Sequence, residues 1–188
     1  MEEKVIKAAL EELKIHSFRF TMEDLARRLH MSKSSIYKVM ASKEELVHRI
    51  LDYIMEIFNR ELEKAVGMSV DKRLDAFINS YTKAFQFFEH GVYNDLQMSY
   101  PQEWERWENF RQTQVENVMS LLAEGVEQGV LRPMNKAVVQ RCLLVMSSSL
   151  ADMNFLREND LTYSKAIAAM RDWMFYGLLR EPAGAPAK

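Results

Sequence analysis

Four side chains in one short segment, Lys33, Ser34, Tyr37 and Lys38, carry cationic or hydrogen-bonding groups. At 100° per residue they cluster on one side of a helix. Two ammonium groups, a phenol and a hydroxyl on a narrow polar face suit phosphate oxygens and base edges in a DNA groove. Signs of catalysis are scarce. His16, His30, His48 and His90 are widely spaced with no H-E-x-x-H, and there is no Walker loop and no G-x-G-x-x-G. Ser35 and Lys38 match S-x-x-K, a spacing that any helix offers. The expectation is a protein that binds rather than catalyses, with no metal and no cofactor.

Charge agrees with that reading. From Lys14 to Lys43 there are seven Lys and Arg against two acids, a local +5 in a chain of net −2, so the remainder carries −7. Such asymmetry suggests a nucleic-acid surface at one end, although a solvated helix face carries charge too. Cys142 is the single cysteine, which rules out an intrachain disulfide and fits a reducing compartment. The opening MEEKVIKAAL has early acids and no long apolar run, unlike a secretory signal. No stretch approaches the roughly 18 apolar residues of a membrane span. The expectation is a soluble, cytoplasmic protein.

The elements that position the polar face can be read from local signals. Apolar residues make up 48% of 188 residues, enough for a core. Glycine and proline are few and most fall between periodic stretches, and strand-like alternation is essentially absent. The chain therefore reads as all-α with about nine helices. Val5, Ile6, Ala9, Leu10 and Leu13 give the first helix its apolar side. Thr21 with Asp24 forms a capping-box start, and Met22, Leu25, Ala26 and Leu29 follow at i, i+3, i+4 and i+7. Ser32 can cap the next, short helix, which turns Ile36 and Val39 inward. Ser42 with Glu45 opens a long fourth helix to about Val66. Two short helices joined by a tight turn, the second with a polar outer face, make a helix-turn-helix. A helix so short is unstable alone in water, so its neighbours must hold it.

The run FTMEDLARRLHMSKSSIYKVMASKEEL resembles the tetracycline-repressor (TetR) family of bacterial transcription regulators. The matching positions are Thr21, Asp24-Leu25-Ala26, Ser32-Lys33, Ser35-Ile36-Tyr37 and Lys43-Glu44-Glu45-Leu46, about a quarter of the chain. Two positions depart from the pattern. His30 stands at or near a place where the turn usually has glycine, and Met40 replaces an aromatic. The resemblance implies phosphate contacts by Thr21, Lys33, Tyr37 and Lys43, with Ser34, Ser35 and Lys38 near base edges or phosphates. Ser35 could instead serve the local backbone, and Tyr37 could pack on the first helix.

Beyond the fourth helix, aromatic residues concentrate. Ten of the chain's twenty lie between Phe77 and Phe110. The plain reading is core packing. The sharper one is the wall of a pocket, drawn from Tyr81, Phe85, Phe88, Met98, Trp104, Trp107 and Phe110, because Tyr and Trp carry polar handles and Met adapts to shape. The resemblance implies a small-molecule effector there, hydrophobic or amphipathic, that weakens operator binding. Glu89, Asp95 and Glu103 could meet a cationic ligand, or simply solvent.

The last two long helices, expected over about 136–158 and 162–179, carry apolar seams. Val139, Cys142, Met146, Ser149 and Met153 follow 3-4 spacing, and Met170, Met174 and Leu178 stripe the final helix. Burial against the chain's own body is one use of such seams. The resemblance implies another, a homodimer through a four-helix bundle. The domain boundaries expected are 1–47 for the DNA-binding domain and 48–180 for ligand binding and dimerisation, with 181–188 as a disordered tail. Together these features point to a ligand-responsive, sequence-specific DNA-binding regulator, with repression as the expected sign. The alternatives are a helical carrier of hydrophobic molecules that regulates no transcription, and a DNA-bound protein controlled by protein partners.

Overall fold

The computed structural model describes residues 1–87, 91–150 and 152–178, without the side chains of residues 85, 147, 148, 153 and 174–178. All regular structure among the described residues is helical: α1 Glu2–His16, α2 Met22–Leu29, α3 Lys33–Tyr37, α4 Lys43–Glu63, α5 Val70–Phe85, α6 Val92–Ser99, α7 Pro101–Glu127, α8 Lys136–Ser149, α9 Met153–Glu158 and α10 Tyr163–Leu178. A single 3-10 turn, Ser17–Arg19, joins α1 to the helix-turn-helix.

The apolar periodicity of the first four helices converges on one core. Val5, Ala9 and Leu13 of α1, Leu25 of α2, Ile36 of α3 and Leu46, Val47 and Ile50 of α4 are all fully buried. Met40, where the family pattern has an aromatic, is buried with them. The hydrophobic effect of this shared core is what stabilises the five-residue α3, too short to persist by its own hydrogen bonds. Helix α4 continues out of this bundle into the body, where Ile54 and Phe58 are again fully buried. There α4 packs on α5, α5 packs on α7 and α10, and α6 lies against α7.

The long helix expected over 136–158 is two helices. Leu150 N–H still bonds Met146, and Asp152 N–H bonds Ser149. Asp152 then starts α9 by accepting from the N–H groups of Asn154 and Phe155, at 2.8 and 3.0 Å. The break needs neither glycine nor proline, because an aspartate cap offers the backbone an alternative to helix continuation. The expected tail, 181–188, lies outside the described residues.

Candidate DNA-binding face and cavity

The candidate DNA-binding face is built by three side-chain caps in succession. Thr21 accepts from Asp24 N–H, and the Asp24 carboxylate returns to Thr21 N–H at 2.8 Å and to the Thr21 hydroxyl at 2.7 Å. These bonds hold the Asp24 carboxyl below its ordinary value. Ser32 accepts from Ser35 N–H at 3.1 Å, and the two hydroxyls lie 2.8 Å apart. Ser42 accepts from Glu45 N–H at 3.0 Å, while Glu45 reaches one residue further back than the expected box, to Ala41 N–H at 2.6 Å. Each cap fixes where a helix begins, and so which side chains face outward.

The turn between α2 and α3 contains no glycine. His30 takes the left-handed conformation, φ 53° and ψ 41°, with its N–H on Ala26 and Arg27. Met31 N–H then bonds Ala26 at 3.0 Å, which closes α2 as a glycine would.

On α3 and its flank Lys33, Ser34 and Lys38 are exposed, and Tyr37 is 41% exposed. Thr21 is exposed at the start of α2. Ser35 is half-buried and engaged with Ser32, so its hydroxyl serves the cap. Lys43 departs furthest from the outward placement expected. Its ammonium is turned in over the Phe20 ring, 2.7 Å from the centroid, shielded from solvent and without a hydrogen-bond partner. Burial pulls it down from 10.5 to about 7, against the opposing pull of Asp24, Glu12 and Glu44.

In the body, α6, α7 and α8 border an open cavity of about 880 Å³ lined by Tyr93, Asn94, Gln97, Trp104, Glu108, Arg111, Arg141, Leu144, Val145, Ser149 and Asp152. Of the aromatic residues expected at a pocket, Trp104 is on this wall. Phe58 instead gathers Tyr81 and Phe110 edge-on, with centroids 5.1 and 5.3 Å away. Trp107, fully buried, stacks at a tilt on Phe110. Burial pushes the Tyr81 phenol up to about 12. Met98 is 76% exposed and is not on this wall. Phe88, Glu89 and the Phe85 side chain lie outside the described residues. Sequence reasoning missed Arg111 and Arg141. The available signal was Glu108 three residues before Arg111, a helical ion-pair spacing that is too common to single out.

The two regions are tied together by charge. Arg19, beside the helix-turn-helix, donates from Nε and Nη2 to the buried Asp95 of α6, at 2.9–3.1 Å. His48 Nδ1 of α4 lies 2.8 Å from Glu103 of α7, and Arg106 bonds both Glu103 and Asp52. Asp95 and Glu103, open to a cationic ligand in the sequence reading, are thus committed to this junction.

Among the expected seam residues, Val139 and Met170 pack against the chain's own core, Cys142 and Met146 are half-buried, and Ser149 lines the cavity. The side chains of Met153, Met174 and Leu178 lie outside the described residues. The break after Ser149 also ends the continuous seam on that helix.

Residues 5–50, the segment that carries all three caps and the exposed face of α3, match the family model of bacterial regulatory proteins, tetR family. The matched segment is about a quarter of the chain. Over this segment the chain is similar to DNA-binding transcriptional regulators, and the match supports a DNA-binding regulator. It is 21% identical over 95% of its length, and 95% of the relative's, to an uncharacterized HTH-type transcriptional regulator, YvaF, of Bacillus subtilis strain 168. Its fold is similar to that of the TetR-family regulator PfmR from Thermus thermophilus, with 22% identity, TM-score 0.66 and coverage of 94% of this chain and 99% of that one. It is also similar to that of a transcriptional regulator from Saccharomonospora viridis solved in complex with choline, with 12% identity, TM-score 0.76 and coverage of 96% and 98%. None of the helices described in this TetR-family fold is long and apolar enough to cross a membrane.

Proposed function

We propose that this regulator is a repressor whose DNA binding is weakened by a small molecule in the cavity between α6, α7 and α8. The observation that supports it is the double duty of α6. Tyr93, Asn94 and Gln97 face the cavity, while Asp95, on the opposite side of the same helix, grips Arg19 beside the DNA-binding helices. A ligand that prefers one position of α6 biases the position of the helix-turn-helix. A ligand that binds both positions equally shifts nothing. On the DNA side, Thr21, Lys33 and Tyr37 set affinity through phosphates, and Ser34 and Lys38 lie nearest the bases.

The active form is a homodimer. Trp173 on α10 is 66% exposed and Val138 on α8 is 58% exposed, apolar surface that a second copy can cover. Two-fold symmetry then calls for a pseudo-palindromic operator. A protein that reads DNA in a bacterium works in the cytoplasm.

Selection of genomic fragments on the purified protein, followed by sequencing, tests this reading. The expected result is a pseudo-palindrome near a promoter, released when the effector is added. Folded dimer with no enriched fragment, with or without small-molecule extracts, overturns it in favour of a carrier. Affinity should also fall steeply with salt, by roughly 10³–10⁵-fold between 50 and 200 mM for about 6–10 phosphate contacts.

A further inference from the structure

The polar groups of the cavity are not balanced in what they still have to offer. Arg111 is only 7% exposed and donates from Nη1 to Glu108 at 2.6 Å. Asp152 is also on the wall, but one of its oxygens already accepts two backbone N–H groups at the start of α9. Arg141, on α8, lies on the same wall and forms no ion pair or hydrogen bond among the described residues. Glu108 and Asp152 thus each have one oxygen already engaged, and an entering cation would also lie beside two guanidinium groups that repel it. An anion meets two attractive partners there instead. A guanidinium has five N–H donors, so Arg111 can keep Glu108 while Arg141 supplies a second, uncommitted cation. The rest of the wall is mixed: Trp104, Leu144 and Val145 provide apolar surface beside these charges.

From this arrangement we infer that the effector is an amphipathic anion, with a carboxylate-type head between Arg111 and Arg141 and an apolar tail against Trp104, Leu144 and Val145. The inference rests on the ligand-responsive reading above and names the chemistry of that same cavity. A volume of about 880 Å³ is large enough for such a molecule with room for water around its head.

The test uses matched straight-chain probes on the full-length protein. Hexanoate, decanoate and hexadecanoate are compared with decanol and decyltrimethylammonium, by calorimetry and by quenching of tryptophan fluorescence. Arg141→Gln is the variant, because an exposed arginine can be replaced without unfolding the body; circular dichroism and melting confirm that the variant is folded. The expected result is that at least one carboxylate binds, that Arg141→Gln weakens it about tenfold or more, and that decanol is unaffected. Tighter binding of decanol or decyltrimethylammonium than of any carboxylate overturns the inference. So does carboxylate binding that Arg141→Gln leaves unchanged, or no binding of any carboxylate. The release of operator DNA separates the two levels. A cationic or neutral probe that releases DNA sinks the anion but leaves ligand control standing. A carboxylate that binds through Arg141 without changing DNA affinity keeps the anion site and removes ligand control.

Discussion

The Lys43 ammonium rests on the face of Phe20, 2.7 Å from the ring centroid, at the point where α4 leaves the helix-turn-helix. A lysine in this position loses water without gaining an ion pair, which is why burial brings it down to about 7.

The sign of the resulting pH dependence follows. Between pH 7 and the ordinary lysine value of 10.5, the unfolded chain holds a proton on Lys43 that the folded chain lacks, so Lys43 makes stability rise with pH across that window. Below pH 7 both states are protonated and the cost of burying the charge is fully present. Lys43→Met should therefore raise the melting temperature most near pH 6–7 and flatten the slope between pH 7 and 10. Urea melts of both proteins across that range measure it. Equal slopes would show that the ammonium is solvated.

The inward turn of Lys43 also ranks the DNA contacts. Lys33→Ala and Tyr37→Ala should weaken operator binding while leaving helicity and oligomeric state intact. Lys43→Ala should cost less, because that ammonium must first leave Phe20. Removal of one phosphate interaction should lower the slope of log affinity against log salt by about 0.9, doubled in a dimer. Fluorescence anisotropy on a labelled operator at several salt concentrations separates these cases. A larger loss for Lys43→Ala than for Lys33→Ala would mean that Lys43 swings out to the DNA.

His30 holds the turn at φ 53° without glycine. A side chain in this region costs roughly 1–2 kcal/mol, partly offset in the Gly variant by the greater entropy of its unfolded chain. His30→Gly should be neutral or stabilising by up to about 1 kcal/mol. His30→Val, β-branched at a left-handed position, should destabilise by about 1–3 kcal/mol. Chemical denaturation of the two variants checks the order, and a His30→Val protein as stable as the parent would contradict the conformation.

Gly125 is a different kind of glycine. It sits within α7 where the chain folds back: Val130 and Leu131 N–H groups both bond its carbonyl, at 2.9 Å. A Cβ here would lie 2.7 Å from Leu131 Cδ1 and 3.0 Å from Val70 Cγ1. Gly125→Ala should therefore lower stability by about 1–3 kcal/mol, despite the better helix propensity of alanine. Thermal melts of the variant decide the matter, since a stabilised protein would show that Leu131 moves aside freely.

The helix starts at Thr21, Ser32 and Ser42 were legible in the sequence because a cap is a local event: the side chain and the N–H it accepts are three residues apart. The outward faces of Lys33, Ser34 and Lys38 followed from the same locality. The body was less legible. Aromatic density spans helices that border the cavity, but Tyr81, Phe110 and Trp107 turn to Phe58 or to one another, and only packing decides which side of a helix meets a void. Asp95 and Glu103 looked like surface acids because their partners, Arg19 and His48, are 76 and 55 residues away in sequence. The split between α8 and α9 hid behind Asp152, a residue equally at home on a helix surface and at a cap.

Helix α6 is eight residues long, and the side chains that line the cavity and the one that holds Arg19 lie on opposite sides of it. Tyr93, Asn94 and Gln97 can be exchanged for other side chains without touching Asp95, and the reverse holds as well. If the cavity holds an effector as proposed, descendants of this chain can acquire a new chemical signal over evolutionary time while inheriting the same grip on Arg19, and a designer can retune the cavity by editing three positions and leaving the fourth alone.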